Sequence, residues 1–169
     1  MKLSDCMSIK LILRIIFFFT ISLTSMVVLA VESERKIDEK NVIDTVKQAK
    51  AYIQQYGKNK AISEFKKNSS LIFAIEFSGT VLASPIHPET VGTNHINFKD
   101  PSGVLVVKQE IDMAIAGGGW LKGRYRKNHK TGQNECRRLY ILPMKGNYLI
   151  GSWYYYAVSK EGKCLIYNS

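Results

Sequence analysis

Apolar and polar positions change period along this chain, and each change marks a new element. Over residues 32–56 apolar side chains recur at Val42, Val46, Ala49, Ile53 and Tyr56, which lays one stripe along a long helix. Gly57 supplies its C-terminal stop. A shorter helix is expected over Lys60–Lys67, burying Ala61, Ile62 and Phe65, and Asn68-Ser69-Ser70 breaks it. From Leu71 the run LIFAIEF, the turn signal Ser78-Gly79 and the run TVLAS read as a β-hairpin. Pro85, Pro88, Gly92 and Pro101 then punctuate a loop layer. Ser102 is placed to cap a helix with Val104, Val107, Ile111 and Ala114 on one face, ended by Gly117-Gly118-Gly119.

Three strands follow: Trp120–Tyr125, Arg137–Met144 and Asn147–Ala157, the last two joined by the turn Lys145-Gly146. Arg126–Glu135 is a charge-rich loop, and a short tail strand, Cys164–Tyr167, folds back through Lys160–Lys163. Alternation buries two of Trp153–Tyr156 and exposes two, most simply as packing against the long helix, with an exposed pair as a partner surface the alternative. The fold class is α+β: a long N-terminal helix packed beside a five-stranded antiparallel sheet, with the helices to one side.

The first thirty residues have a different character. Lys2, Lys10 and Arg14 precede a charge-free run, Ile15–Ala30, that ends in the small-residue pattern Val28-Leu29-Ala30. That is the make-up of a secretory signal peptide, and the run is shorter than the roughly 20 residues that span a bilayer. Cleavage is expected after Ala30, leaving 31–169 as a single domain in the periplasm or secreted. The alternative is an uncleaved anchor, the only membrane contact expected. Without the leader the chain holds 21 basic and 13 acidic residues, about +8. These charges are dispersed except over Lys122–Lys130, which favours a solvated basic face or an anionic small ligand over nucleic acid. Cys136 and Cys164 remain beyond the leader. In an oxidising compartment they are disulfide candidates, and the alternative is two free thiols. His87, His95 and His129 lack ligand-like spacing, so neither a metal nor a cofactor is expected.

The order of elements, with FSGTVLASP, VGTN, DPSG, the helix ending in GGGW, and RRLYILPMKGNYLIGSWYY, resembles the single Cache domain, the extracellular sensor module of bacterial receptors. The resemblance covers roughly residues 36–158. It implies a PAS-like sheet with a pocket on one face for small ligands, often short carboxylates. It further implies that the family's basic group falls on Arg137, its tyrosine on Tyr140, the tryptophan after the glycines on Trp120, and a later aromatic on Tyr125. Four features depart from the pattern: Gly123 replaces a usual tyrosine, Ser84 a common histidine, Glu76, Phe77 and Ser78 the usual acidic turn start, and Tyr125-Arg126-Lys127-Asn128 lacks the usual proline.

A guanidinium matches two carboxylate oxygens, so Arg137 or Arg138 is the candidate clamp. Strand parity puts Arg137, Leu139 and Ile141 on one face and Arg138, Tyr140 and Leu142 on the other. Arg137 and Tyr140 therefore share a pocket only if a bulge intervenes. Trp120, Tyr125 and Tyr140 are the candidate aromatic lining. Glu110, Asp112 and His95 are the obvious acid–base groups, but no nucleophile stands beside a base at a recognisable spacing, and no enzyme is expected. The sequence thus reads as an exported, free-standing binding domain for a small anion, without its own signalling output. It would either hand its ligand or its bound state to a separate receptor or envelope partner, or simply hold the ligand outside the cell. The alternative is an interaction module with a degenerate pocket that binds a protein or an anionic envelope component.

Overall fold

A computed structural model describes residues 38–67, 70–100, 103–158 and 164. The chain divides into two units, 1–38 and 39–169, and of the first only Asp38 is among the described residues. The leader, Ser102, the turn Lys160–Lys163 and the tail beyond Cys164 lie outside them.

The elements are helix α1 (38–56), helix α2 (Lys58–Phe65), strands β1 (Phe73–Glu76) and β2 (Val81–Ala83), and a 3-10 turn at Pro88–Thr90. Helix α3 (Val106–Ile115) and strands β3 (Gly119–Trp120), β4 (Arg124–Lys127), β5 (Asn134–Met144) and β6 (Tyr148–Tyr156) complete them. The antiparallel sheet runs β2-β1-β6-β5-β3, and β4 also pairs with β5. It has six strands rather than the expected five, because Trp120–Tyr125 is not one strand.

The register explains the break. Trp120 pairs with Tyr140 but Arg124 pairs with Arg137, so residues 121–123 hold one more residue than the partner strand. Such a bulge reverses which side chains face which way. Trp120 follows Tyr140 to one face, while Arg124 follows Arg137 to the other. Strand β5 itself pairs with β6 without interruption from Cys136 to Met144.

The sheet is covered on both sides, a correction to the expectation of helices on one side. On one face α1 and α2 bury Val46, Ala49, Ile53, Ala61, Ile62 and Phe65 against Ala74, Tyr148 and Ile150. On the other, α3 buries Val107, Ile111 and Ala114 against Phe73, Ile75, Leu139, Ile141 and Leu149. Alternation along β1, β5 and β6 sorts their residues between the two cores. Double coverage also explains why none of Trp153–Tyr156 is exposed, contrary to the expected two. Tyr56, expected on the buried stripe, is instead exposed at the end of α1.

Helix α3 begins at Val106 with Leu105 in the cap position and no side-chain cap, so the expected start at Ser102 is too early. Its glycine exit is sterically enforced at Gly118. There φ is +89°, and a Cβ would lie 2.6 Å from the Ile141 carbonyl oxygen and 2.9 Å from Pro143 Cδ. Cys136, in the middle of the sheet, is joined to Cys164 by a disulfide with Cα atoms 5.5 Å apart. No helix among the described residues is long and apolar enough to cross a membrane.

Candidate functional site

Between the α3 face of the sheet and the segment linking β2 to α3 lies a cavity of about 720 Å³. Its walls are mainly apolar: Phe73 and Ile75 from β1, Leu139 from β5, Trp153 from β6, and Val107 from α3. Exposed His87 and Glu89 of the β2–α3 segment also line it, with their side chains 3.1 Å apart. Ser84 lines it too, and its hydroxyl accepts the His87 backbone N–H at 3.1 Å. The β4–β5 loop is pinned by Glu135, which accepts from Asn128 Nδ2 at 3.0 Å and Thr131 Oγ1 at 2.7 Å. His129 of that loop lines the cavity with its ring 6.4 Å from Trp153 and 6.1 Å from Tyr155. Burial, then Lys130 and Arg137, hold the His129 pKa below its ordinary value, so the ring adds no charge at neutral pH.

The charged groups fall into two sets. Asp100, only 7% exposed, is shared by Arg126 at 2.9 Å and Arg124 at 3.3 Å. Two of the five Lys and Arg residues in the stretch 122–130 are thus drawn onto one internal carboxylate. Arg137 and Glu110 form the second set. Both line the cavity, and no side-chain hydrogen bond or ion pair is made to either among the described residues. Burial pushes the Glu110 carboxyl up to about 7, against the opposing pull of Arg137, Arg124 and Arg126. Arg137 Nε and Tyr155 Oη are buried without a hydrogen-bond partner among the described residues, and they belong to cross-strand neighbours on one face. A buried donor left unmade costs about 1–3 kcal/mol, so each such group in a folded protein calls for an explanation.

A sequence profile of the Cache domain matches residues 21–157. This chain belongs to the Cache domain family. Among solved structures it is similar to a methyl-accepting chemotaxis protein from Vibrio parahaemolyticus, at 18% identity and TM-score 0.63 over 76% of this chain and 95% of that one. It is similar to a Cache chemosensory domain described for carboxylic acid recognition, at 15% identity and TM-score 0.61 over 73% and 97%. A periplasmic sensor domain of a chemotaxis protein matches at 14% identity and TM-score 0.54 over 77% and 97%. At these identities the likeness is one of fold. No curated protein matches the chain.

The Cache domain brings together only some of the residues singled out from its sequence. Arg137 is on the cavity wall, and Tyr125, 51% exposed, is at its outer end. Trp120, Tyr140 and Arg138 sit on the opposite face under α1. There Trp120 packs 5.2 Å from Tyr140 and 5.7 Å from Tyr154, with the Arg138 guanidinium 4.8 Å above its ring. Arg138 donates to Glu39 of α1, which also accepts from the Tyr154 hydroxyl at 3.2 Å. The bulge that would have joined Tyr140 to Arg137 lies on the neighbouring strand instead. Gly123, at that bulge, has the Tyr156 hydroxyl where its Cβ would be, so a side chain there would displace the end of Tyr156. Of the acid–base candidates, Glu110 and His95 line the cavity, whereas Asp112 pairs at the surface with Lys108. Glu110 as a cavity wall was missed, although it follows Val107 by three and precedes Ala114 by four, the period of the buried face.

Proposed function

We propose that this Cache domain is an exported sensor-type module that binds a small carboxylate-bearing molecule, with Arg137 as the clamp and Tyr125 at the rim. The observation that carries the reading is the Arg137 guanidinium. It is on the wall of an open, mainly apolar cavity, its Nε is buried, and it has no acid of its own among the described residues. Arg124, Arg126 and Arg138 each have one. Ligand sites combine apolar walls with a few placed polar groups, and a guanidinium takes a carboxylate through two parallel hydrogen bonds. The carboxylic acid recognition ascribed to one fold neighbour supports the same class. The leader pattern at 1–30 and the Cys136–Cys164 disulfide support a place outside the cytoplasm. The site is read as binding rather than catalytic, since no nucleophile is hydrogen-bonded to Glu110 among the described residues. An interaction module with a collapsed pocket is less well supported, because about 720 Å³ stays open.

The test is a thermal-shift screen of the purified full chain against short carboxylates, amino acids, purines and polyamines, repeated with Arg137→Ala and Arg138→Ala. A ligand at one hundred times its Kd stabilises by about 2.7 kcal/mol, which raises Tm by several degrees. Carboxylate hits lost in Arg137→Ala and kept in Arg138→Ala are expected. Hits that survive Arg137→Ala, or their complete absence, would overturn the reading.

A further inference from the structure

We infer that the cavity grips its anion more tightly as pH falls, because all three histidines of the chain line it and become cationic together, and that binding draws protons in. This is a regulation of the site proposed above and rests on Arg137 holding a carboxylate.

The chain has three histidines, and they reach the one cavity from separate places. His87 precedes the 3-10 turn, His95 follows it in the β2–α3 segment, and His129 belongs to the β4–β5 loop. His87 Nδ1 is 3.1 Å from Glu89 Oε1, and His95 Nε2 is 2.7 Å from the Thr93 hydroxyl oxygen. His129 lies beside the rings of Trp153 and Tyr155. His87 and His129 are exposed and His95 is half-buried, so solvent reaches all three. Imidazole is the side chain whose charge ordinarily changes between pH 5 and 8. A cavity lined by three of them has a charge that follows pH.

The remaining charges of the lining sharpen the effect. Arg126, Lys127 and Arg137 are its fixed cations, and Glu89, Asp100 and Glu110 its acids. Above the histidine range these six balance. Below it three imidazolium charges are added, and Glu110, whose carboxyl burial pushes up to about 7, has taken a proton. The lining then carries about four positive charges in excess. The coupling runs through Arg137. Burial, then the charges of Lys130, Arg137 and His87, hold the His129 pKa down. A carboxylate on Arg137 offsets that repulsion and favours the imidazolium, and by linkage the imidazolium favours the carboxylate equally. Solvent and salt screen the exposed rings, so the whole gain is expected to be about tenfold.

The experiment is calorimetric titration of the full chain with 3-phenylpropanoate and 4-methylpentanoate at pH 6, 7 and 8.5, where both acids stay ionised. Neutral 3-phenylpropanamide is the control. Each titration is run in two buffers of different protonation heat, which gives the protons taken up per ligand bound. Kd of the acids is expected to fall about tenfold from pH 8.5 to 6, with about half a proton taken up near pH 7, while the amide shows neither change. Combining His87→Gln, His95→Gln and His129→Gln should remove at least half of that dependence, the remainder belonging to Glu110. On the unmodified protein the imidazole signals, followed by NMR, should titrate at higher pH with 3-phenylpropanoate bound. A Kd independent of pH, an amide as pH-dependent as the acids, or a dependence undiminished in the triple variant would overturn the inference. Acid binding lost in Arg137→Gln at every pH would then leave the Arg137 reading standing. No binding of either acid at any pH would overturn both. Imidazole titrations unmoved by ligand would overturn the inference even if the triple variant fails to fold.

Discussion

Glu110→Gln is expected to stabilise the ligand-free protein in a manner that grows with pH. In the folded protein burial lifts this carboxyl from an ordinary 4.5 to about 7, despite the pull of three arginines. The unfolded chain therefore gives up the proton first. Between those two values the folded state binds more protons than the unfolded one, so stability falls as pH rises. The contribution is fully present below the unfolded value and has been lost once pH passes the folded one. A difference of that size corresponds to about 3 kcal/mol, an upper figure because structure relaxes around buried charge. Glutamine fills the same volume without ionising, so the variant escapes the loss. The assay is Tm of the ligand-free full chain and of the variant at a series of pH values from 5 to 9. Subtracting one curve from the other cancels groups common to both. The variant's advantage should be about a quarter of its full size at pH 5 and approach about 10 °C by pH 8, at a few degrees per kcal/mol for a domain of this size. A difference that stays flat with pH, or grows toward acid, would refute a buried, unpartnered Glu110.

Three further outcomes follow from the same structure. Arg138→Ala should lower stability by about 1–3 kcal/mol, less than a fully buried pair because Glu39 and Arg138 keep side-chain exposures of 25% and 12%, and should leave ligand Kd unchanged in calorimetry. Cys164→Ser, or reduction of the parent protein, should lower stability by about 3–4 kcal/mol on the chain-entropy account of a 28-residue separation, read from denaturant midpoints with and without reductant. Gly118→Ala should cost at least about 2 kcal/mol, since φ of +89° and contact with the Ile141 carbonyl both oppose a side chain; an unchanged Tm would show that the α3–β3 turn is not held as described.

The elements set by one face's periodicity were legible in the sequence. The α1 stripe, the buried trio of α2 and the alternation of β5 each follow from local spacing, and Val42, Val46, Ala49, Ile53, Ala61, Ile62 and Phe65 are all buried. What escaped was long-range. The extra residue at 121–123 is fixed only when β5 lies beside it, although Gly123 inside the expected strand is itself a bulge signal that was passed over. Coverage of the second sheet face by α3 depends on the path of the β2–α3 segment, which no local period records. The site divided along the same line. Parity alone separated Arg137 from Tyr140, and it holds because β5 is regular. The family pattern that joined Trp120, Tyr140 and Arg137 does not carry over to one face here. Glu110 was visible as an acid on an apolar helical face, but that it lines a cavity together with Arg137 depends on how α3 packs on the sheet.

β5 is the divider between what stabilises this domain and what is left open for a ligand. Its even-numbered positions from Arg138 to Leu142 face the α1 side, where Arg138 finds Glu39 and Tyr140 finds Trp120. Of its odd-numbered positions Arg137 and Leu139 line the cavity, where Arg137 finds no partner among the described residues. The bulge at 121–123 turns Arg124 toward that second face and so adds to the basic groups gathered there. Asp100 offsets the crowding by taking Arg124 and Arg126, and it does so without reaching Arg137. A fold selected for stability alone would have placed an acid against Arg137 or an apolar side chain in its place, since either relieves a buried donor. Consistency between local pattern and packing holds across the α1 face and fails at Arg137, Glu110 and Tyr155. Such failures concentrate where a protein trades stability for binding.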